Sequence, residues 1–354
     1  MDTPLIQEHR AAGARLAEFQ GCVLPEVFSD FEKEYHAARH SVALFDTSWH
    51  AVLVLTGRDR VKYLHAITSN NIQALSEGSG ALALLLNPQG HILAELEIYL
   101  QPEKVLVRTH VSARERAVAM LEKYIIASDV KIADATETTG SLALEGPRAA
   151  AIIQQACGLA IEDLPEMSIR DVAIEHIRCQ VLRRSHFGTT GVEIVARRDW
   201  LPSLWQKLLG GIRAHGGEPI GMAALNALRL EAGVPWFPVD FNDSMIPHEA
   251  VLENTHISFS KGCYTGQEIV ERVRSRGQVN RKRVSLKFSS AAPPLPGTKL
   301  RADGADVGYV TSSAFSPAEG RAIGMAYLRR EHFTPGSAVE FEGGTAVVLP
   351  QAGS

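Results

Sequence analysis

The chain has 354 residues, of which 45% are hydrophobic and 21% charged, with a formal net charge of -4. That length exceeds one ordinary core and implies two or three domains, and the acidic balance excludes general binding to nucleic-acid phosphates, which needs a basic surface. Four scattered cysteines, Cys22, Cys157, Cys179 and Cys263, form no CxxC or CxxH pair, so they suit neither a zinc site nor a disulfide scaffold and point to the reducing cytoplasm. The polar N-terminus lacks the apolar stretch of an export signal, and no membrane span is expected because no run of roughly 18 apolar residues occurs.

In chain order, residues 7–20 have helical spacing, and Ser29 with Glu32 has the spacing of a capping box that opens a helix to about His40. One pattern of elements then occurs twice. Strand 51–56, helix 58–67, strands 82–87 and 91–99 around the turn Asn87-Pro88-Gln89-Gly90, strand 104–109 and helix 112–126 make the first unit. Strand 141–145, helix 147–157, strands 171–175 and 177–184, strand 192–196 and helix 199–215 make the second. Both predict antiparallel sheets with helices on one face, an α+β class. A third helix covers 222–232, and residues 233–262 read as a long ordered loop lying against a site. Five short β runs from residue 283 onward (284–288, 307–313, 322–328, 338–342 and 345–349), broken by Pro and Gly, predict a small C-terminal β-barrel. The expected division is a helical extension 1–28, α+β units 29–139 and 140–282, and a barrel 283–354.

The most distinctive stretch is Lys261-Gly262-Cys263-Tyr264-Thr265-Gly266-Gln267-Glu268. Thr265 and Glu268 have capping-box spacing, which predicts a helix from about Gly266 with Cys263 in the turn before it. A helix N-terminus and the neighbouring Lys261 both favour a thiolate, so Cys263 is expected to be reactive. A basic strip follows at Arg272, Arg274, Arg276, Arg281, Lys282 and Arg283; alone it would suit an RNA-binding module, against which the acidic balance weighs. His65, His91, His110, His186, His248 and His256 show no metal-ligand spacing, and no resident metal is expected; His248-Glu249 offers an acid–base pair or an ordinary loop histidine.

The stretch 261–268 and the basic residues after it resemble the signature of the YgfZ family of folate-binding proteins. These are similar in turn to the T-protein, or aminomethyltransferase, of the glycine cleavage system, and the similarity runs from about Phe31 onward, through Phe45-Asp46-Thr47-Ser48. The resemblance implies three lobes around a central cavity for tetrahydrofolate or another reduced folate. It implies that Glu193 holds the pterin ring, a role a carboxylate can fill by accepting two adjacent N–H groups. It places His50 and Leu225 at cavity positions and Arg229 at a helix end near the cavity. A T-protein's transfer aspartate is matched to Ala117, after Arg114-Glu115-Arg116, which cannot ionise.

On these grounds the expected function is a folate-binding accessory factor for iron–sulfur cluster assembly or repair, without classical catalytic activity and indirectly supporting tRNA thiomodification. Cys263 and Lys261 would act on assembly proteins or client cluster enzymes, since one thiolate does not hold a cluster by itself. The alternative is a folate-dependent aminomethyltransferase.

Overall fold

The computed structural model describes residues 1–350, the side chain of Arg276 excepted. In the first unit, five strands form an antiparallel sheet in the spatial order Gly80–Leu86, Ile92–Leu100, Val105–His110, His50–Thr56 and Lys131–Asp134. Along Ile92–Leu100, Ala94, Leu96 and Ile98 point to one face and are fully buried. There they pack with Leu64 and Leu121 of the covering helices Arg60–Ile67 and Arg114–Lys123. Glu95, Glu97 and Tyr99 therefore point to the other face.

The second sheet has six strands, in the order Ile169–Ile174, Ile177–Arg183, Gly191–Arg197, Thr139–Glu145, Ala43–Asp46 and Glu218–Pro219. Val192 and Ile194 pack under the helices Ala149–Cys157 and Leu201–Arg213, whose Trp205 is fully buried. Its opposite face meets the opposite face of the first sheet, Leu182 and Val195 against Val52, Tyr99 and Leu106. Two sheets thus pack back to back with helices outside, and the back-to-back seam is where the site lies.

The N-terminus departs from expectation. In place of one helix over residues 7–20 there is a short helix, Ile6–Ala11, followed by an antiparallel ribbon, Arg15–Phe19 with Cys22–Val27. The ribbon turns at Gln20 (φ 49°) and Gly21 (φ 89°), two left-handed residues that match the twist of a tight hairpin. Leu5 and Phe28 join the second core, and His9 Nε2 lies 2.9 Å from Asp46 Oδ2. The next helix, Phe31–His40, is capped by Asp30, whose carboxylate accepts from Lys33 N at 3.1 Å, rather than by Ser29.

The helix Met222–Glu231 leads into the expected long connection, which contains two single-turn helices, Pro247–Ala250 and Glu253–His256. Asp240 pins this connection to the barrel: it pairs with Arg229 and accepts from Thr311 and Ser312 hydroxyls at 2.6 and 2.5 Å. The barrel is closed and six-stranded, one strand (Lys299–Ala302) more than the sequence predicts. Among the described residues no helix is long and apolar enough to cross a membrane.

Candidate functional site

The site follows from the two-residue period of the strands. On the seam, each apolar residue is followed two positions along by a polar one: Val52 by His50, Tyr99 by Glu97, Leu106 by Arg108, Leu182 by Arg184 and Val195 by Glu193. The dry contact thereby gives way to a charged one. Register places Glu97 directly opposite Arg108, and His50 opposite His110.

Arg108 is the centre of this network and is fully buried. Its guanidinium donates to Glu97 Oε2 at 2.9 Å, to Glu193 Oε2 and to His50 Nδ1 at 2.7 Å. Arg184 Nε donates to the other oxygen of Glu97 at 2.9 Å. Burial alone would push both carboxyls up; the charges of Arg108 and Arg184 outweigh it and hold Glu97 at about 2, and Arg108 holds Glu193 well below the usual range. Burial, then Arg108, brings His50 down to about 4, so it is neutral and its Nδ1 is an acceptor. The ligand atoms of His50, Glu97 and Glu193 lie within 4.8 Å of one another, a spacing that suits a metal ion. The cation among them is the Arg108 guanidinium, which contacts all three.

Glu145, itself fully buried, shapes the turn after Arg184 by accepting from the Ser185 hydroxyl at 2.6 Å and from the N–H groups of His186 and Phe187 at 2.6 and 3.0 Å. That turn sets His186 against Glu193. His186 Nε2 lies 2.8 Å from Glu193 Oε1, so the imidazole and the carboxylate face each other in a buried pair.

The network borders a cavity of two adjoining chambers. The inner, of about 50 Å3, is walled by His50, Glu97, Arg108 and His186 and by the aromatic rings of Phe19, Trp49, Trp236 and Phe237. The outer, of about 310 Å3, is walled by Leu82, Leu252, His256 and Arg283. Glu95, Arg184, Val234 and Pro235 line both chambers. Glu95 Oε1 is held by His256 Nε2 at 2.8 Å, and its side chain keeps 23% exposure. A half-exposed carboxylate with one oxygen anchored and one uncommitted can bind a ligand N–H or move its proton.

The residues singled out in the sequence are distributed unevenly around this cavity. His50 lines it, and Glu193 lies one layer behind it, fully buried. Leu225 does not reach it; it packs in a core with Phe45 and Met325. Arg229 is fully buried against Asp240, with its guanidinium 4.4 Å from the Trp236 ring centre, and lines neither chamber. Ala117 is fully buried in the core beneath the first sheet, so a carboxylate there would not face the cavity and its absence says nothing about transfer. His248 and Glu249 form no pair, since Glu249 is bound to Arg281 at 3.1 Å.

The stretch 261–268 also lies outside both chambers. The Lys261 ammonium is bound to the carbonyls of His65 and Thr68 at the end of a helix and stands 4.8 Å from the Tyr264 ring centre. Cys263 is exposed, whereas Cys22 and Cys179 are buried and burial pushes each thiol up to about 11. The helix begins at Gln267 and Glu268 with Gly266 as its cap, and no side chain caps it. Gly262 is exposed in the extended turn before it, and Tyr264 is buried with its hydroxyl unpartnered.

Arg108, Glu95, Glu97, Arg184 and Trp49 went unnoticed in the sequence. The available signal was the recurrence of one charged or aromatic residue at the same end of otherwise apolar strands.

A two-sheet core with a buried charge seam, closed by a C-terminal barrel, is an architecture shared with solved proteins. The crystal structure of glycine cleavage system aminomethyltransferase T from Bartonella henselae superposes with a TM-score of 0.91 at 25% identity, covering 99% of this chain and 97% of that one. The family model for the GCVT N-terminal domain matches residues 5–261, and that for the glycine cleavage T-protein C-terminal barrel domain matches residues 281–348. The chain belongs to the glycine cleavage T-protein family, which binds tetrahydrofolate. The aminomethyltransferase of Rubrobacter xylanophilus is 30% identical over 93% of this chain and 87% of its own length. That of Thermoanaerobacter pseudethanolicus is 26% identical over 96% and 92%. These relatives overturn the expectation of an accessory factor for iron–sulfur clusters with an indirect role in tRNA modification.

Proposed function

We propose that this protein is a folate-dependent aminomethyltransferase acting in the cytoplasm. The observation that carries the proposal is Glu95, a carboxylate facing an aromatic-walled cavity at the junction of its two chambers. Tetrahydrofolate suits the residues present. The rings of Trp49, Trp236 and Phe237 offer stacking surfaces for a pterin, and the uncommitted oxygen of Glu95 is an acceptor on the cavity wall. The inner chamber as it stands has room for a few waters, so His186, backed by Glu193, would take the edge of the ring while the outer chamber takes its bulk.

When bound, the reduced folate supplies the nitrogens that accept the one-carbon unit. Glu95 is placed to accept a proton at its uncommitted Oε2 from a ligand N–H and to return it to a leaving amine. His256 holds Oε1 and so fixes the carboxylate plane. Arg108 and Arg184 keep Glu97 ionised beside it, and the aromatic wall keeps bulk water from the reacting carbon. The stretch 261–268 supports a place for the chain in the YgfZ-like branch of the superfamily as a packing motif, where Lys261 and Gly266 fasten the connection to the first sheet.

The test is to supply the chain with tetrahydrofolate and the other glycine-cleavage components and to measure ammonia and methylene-tetrahydrofolate. Both are expected with the wild-type chain, and Glu95→Gln is expected to slow turnover by roughly 10²- to 10³-fold with unchanged folding. Absence of turnover by the wild-type chain refutes the assignment.

A further inference from the structure

A hollow of about 460 Å3 lies where the connection after Asp240, the helix Gln267–Arg276 and the first barrel strand, Arg281–Phe288, meet. None of Glu95, Glu97, Arg108 and Arg184 lines it, and its volume is that of a small-molecule site.

Its lining is divided by chemistry. The barrel contributes cations: Arg330 N donates to Asn280 O at 3.0 Å, which sets Arg330 beside the start of the strand that bears Lys282. Arg330 also donates to the Gln278 side chain at 2.6 Å, and among the described residues neither cation pairs with a carboxylate. The connection and the helix contribute rings and acceptors. The Arg274 guanidinium lies 4.3 Å from the Phe259 ring centre, and the His248 ring lies 6.4 Å from the same centre. Arg274 is also 3.5 Å from Glu271, so its charge is answered locally. Glu253 Oε2 and both ring nitrogens of His248 are buried without a partner among the described residues. Burial lowers His248 from its usual pKa, so the ring is neutral, with one N–H and one acceptor.

These groups define what can bind. A simple anion would use Lys282 and Arg330 and be opposed by Glu253. A flat heterocycle with N–H groups, joined to an anionic end, uses both sets: it stacks on the arginine–phenylalanine platform, donates to Glu253 and pairs with the two cations. Among purines, guanine presents two adjacent N–H donors beside a carbonyl, which suits a carboxylate next to an imidazole N–H. Adenine turns a ring-nitrogen acceptor toward the carboxylate and is disfavoured. We propose that this hollow binds a guanine nucleotide, with its base on Phe259 and Arg274, its N–H edge on Glu253, its carbonyl on His248 and its phosphate on Lys282 and Arg330. The site is independent of the transfer chemistry assigned above.

The experiment is calorimetric titration of the full chain with GMP, AMP, guanosine and inorganic phosphate. GMP is expected to bind on the order of tenfold tighter than AMP or guanosine, with phosphate weakest. Its affinity should be unchanged when tetrahydrofolate is present at saturation, whereas competition would place the base in the folate cavity and overturn the proposal. The double variant Lys282→Gln, Arg330→Gln should bring GMP to the affinity of guanosine, and Glu253→Gln should remove the preference for GMP over AMP. Absence of GMP binding at about 1 mM overturns the proposal, as does equal binding of GMP and AMP or of GMP and phosphate. A preference for GMP that survives Glu253→Gln overturns it too. The ligand series on the wild-type chain decides the matter even where a variant is less stable.

Discussion

The seam around Arg108 and the stretch 261–268 are both rich in polar residues, yet they differ in what their surroundings leave available. In 261–268 the potential is used up locally: Lys261 is bound to helix-end carbonyls, Gly266 lies against the Asn87 carbonyl, and Tyr264 is packed away. Gly262, Cys263 and Glu268 are left facing outward. In the seam, charges contributed by four strands and one turn converge on a cavity, and an acceptor at Glu95 remains for a ligand. A compact, unusual string thus serves packing, while the chemistry lies among residues far apart in sequence.

Removing the central cation should separate the two regions most sharply. Arg108→Leu leaves Glu97 and Glu193 buried with their main counter-charge gone, and is expected to cost about 3–5 kcal/mol in denaturant unfolding. A loss below about 1 kcal/mol, the worth of an exposed ion pair, would mean the seam is far wetter than its burial implies. Gly266→Ala comes next. At φ 83° and with an added Cβ 2.6 Å from Asn87 O, it is expected to cost about 1–3 kcal/mol while leaving folate affinity unchanged in the folded fraction.

A pH effect of intermediate size should arise from His110, which burial holds at about 3 against roughly 6.5 in an unfolded chain. Between those values the unfolded state binds the extra proton, so stability falls as pH drops from about 6.5, with a slope of up to ~1.4 kcal/mol per pH unit from this group. Above that range it contributes no slope. His110→Asn should flatten the acid limb of the stability curve by that amount. The smallest effect is assigned to Cys263→Ser, which should change neither melting temperature nor turnover, because the thiol is exposed and lines neither chamber. A marked loss of turnover would return 261–268 to the chemistry.

The fold was legible where periodicity is strong. The strands around Asn87–Gly90, the helices on each sheet and most of the barrel follow from local pattern. The hairpin at Gln20-Gly21 was missed because a glutamine at positive φ carries no Asn or Asp turn signal, and Leu16 with Phe19 then mimics helical spacing. Lys299–Ala302 was missed because it has only four residues, with charged ones alternating. The site was less legible. Glu193 read alone is a polar residue on a half-buried strand, and its burial depends on which strands lie opposite, a property of register and sheet pairing rather than of neighbours in sequence. The cavity's aromatic surface comes from Trp49 and Trp236, not from the positions His50 and Leu225 where it was sought.

Ala43–Asp46 pairs with Leu142–Glu145, although the whole first sheet is built from residues between them. The first unit is thus an insertion within the second, and the two are interlocked like a loop held by its own clasp. A proteolytic cut in the connection near residue 135 would not free either half. The arrangement also imposes a wait on the nascent chain. At the usual 5–20 residues per second, the strand Ala43–Asp46 leaves the ribosome roughly 5–20 s before its partner exists, while the inserted sheet can already fold. The order of synthesis therefore favours completing the sheet that bears Glu95 and Arg108 before the sheet that bears Glu193 closes over them.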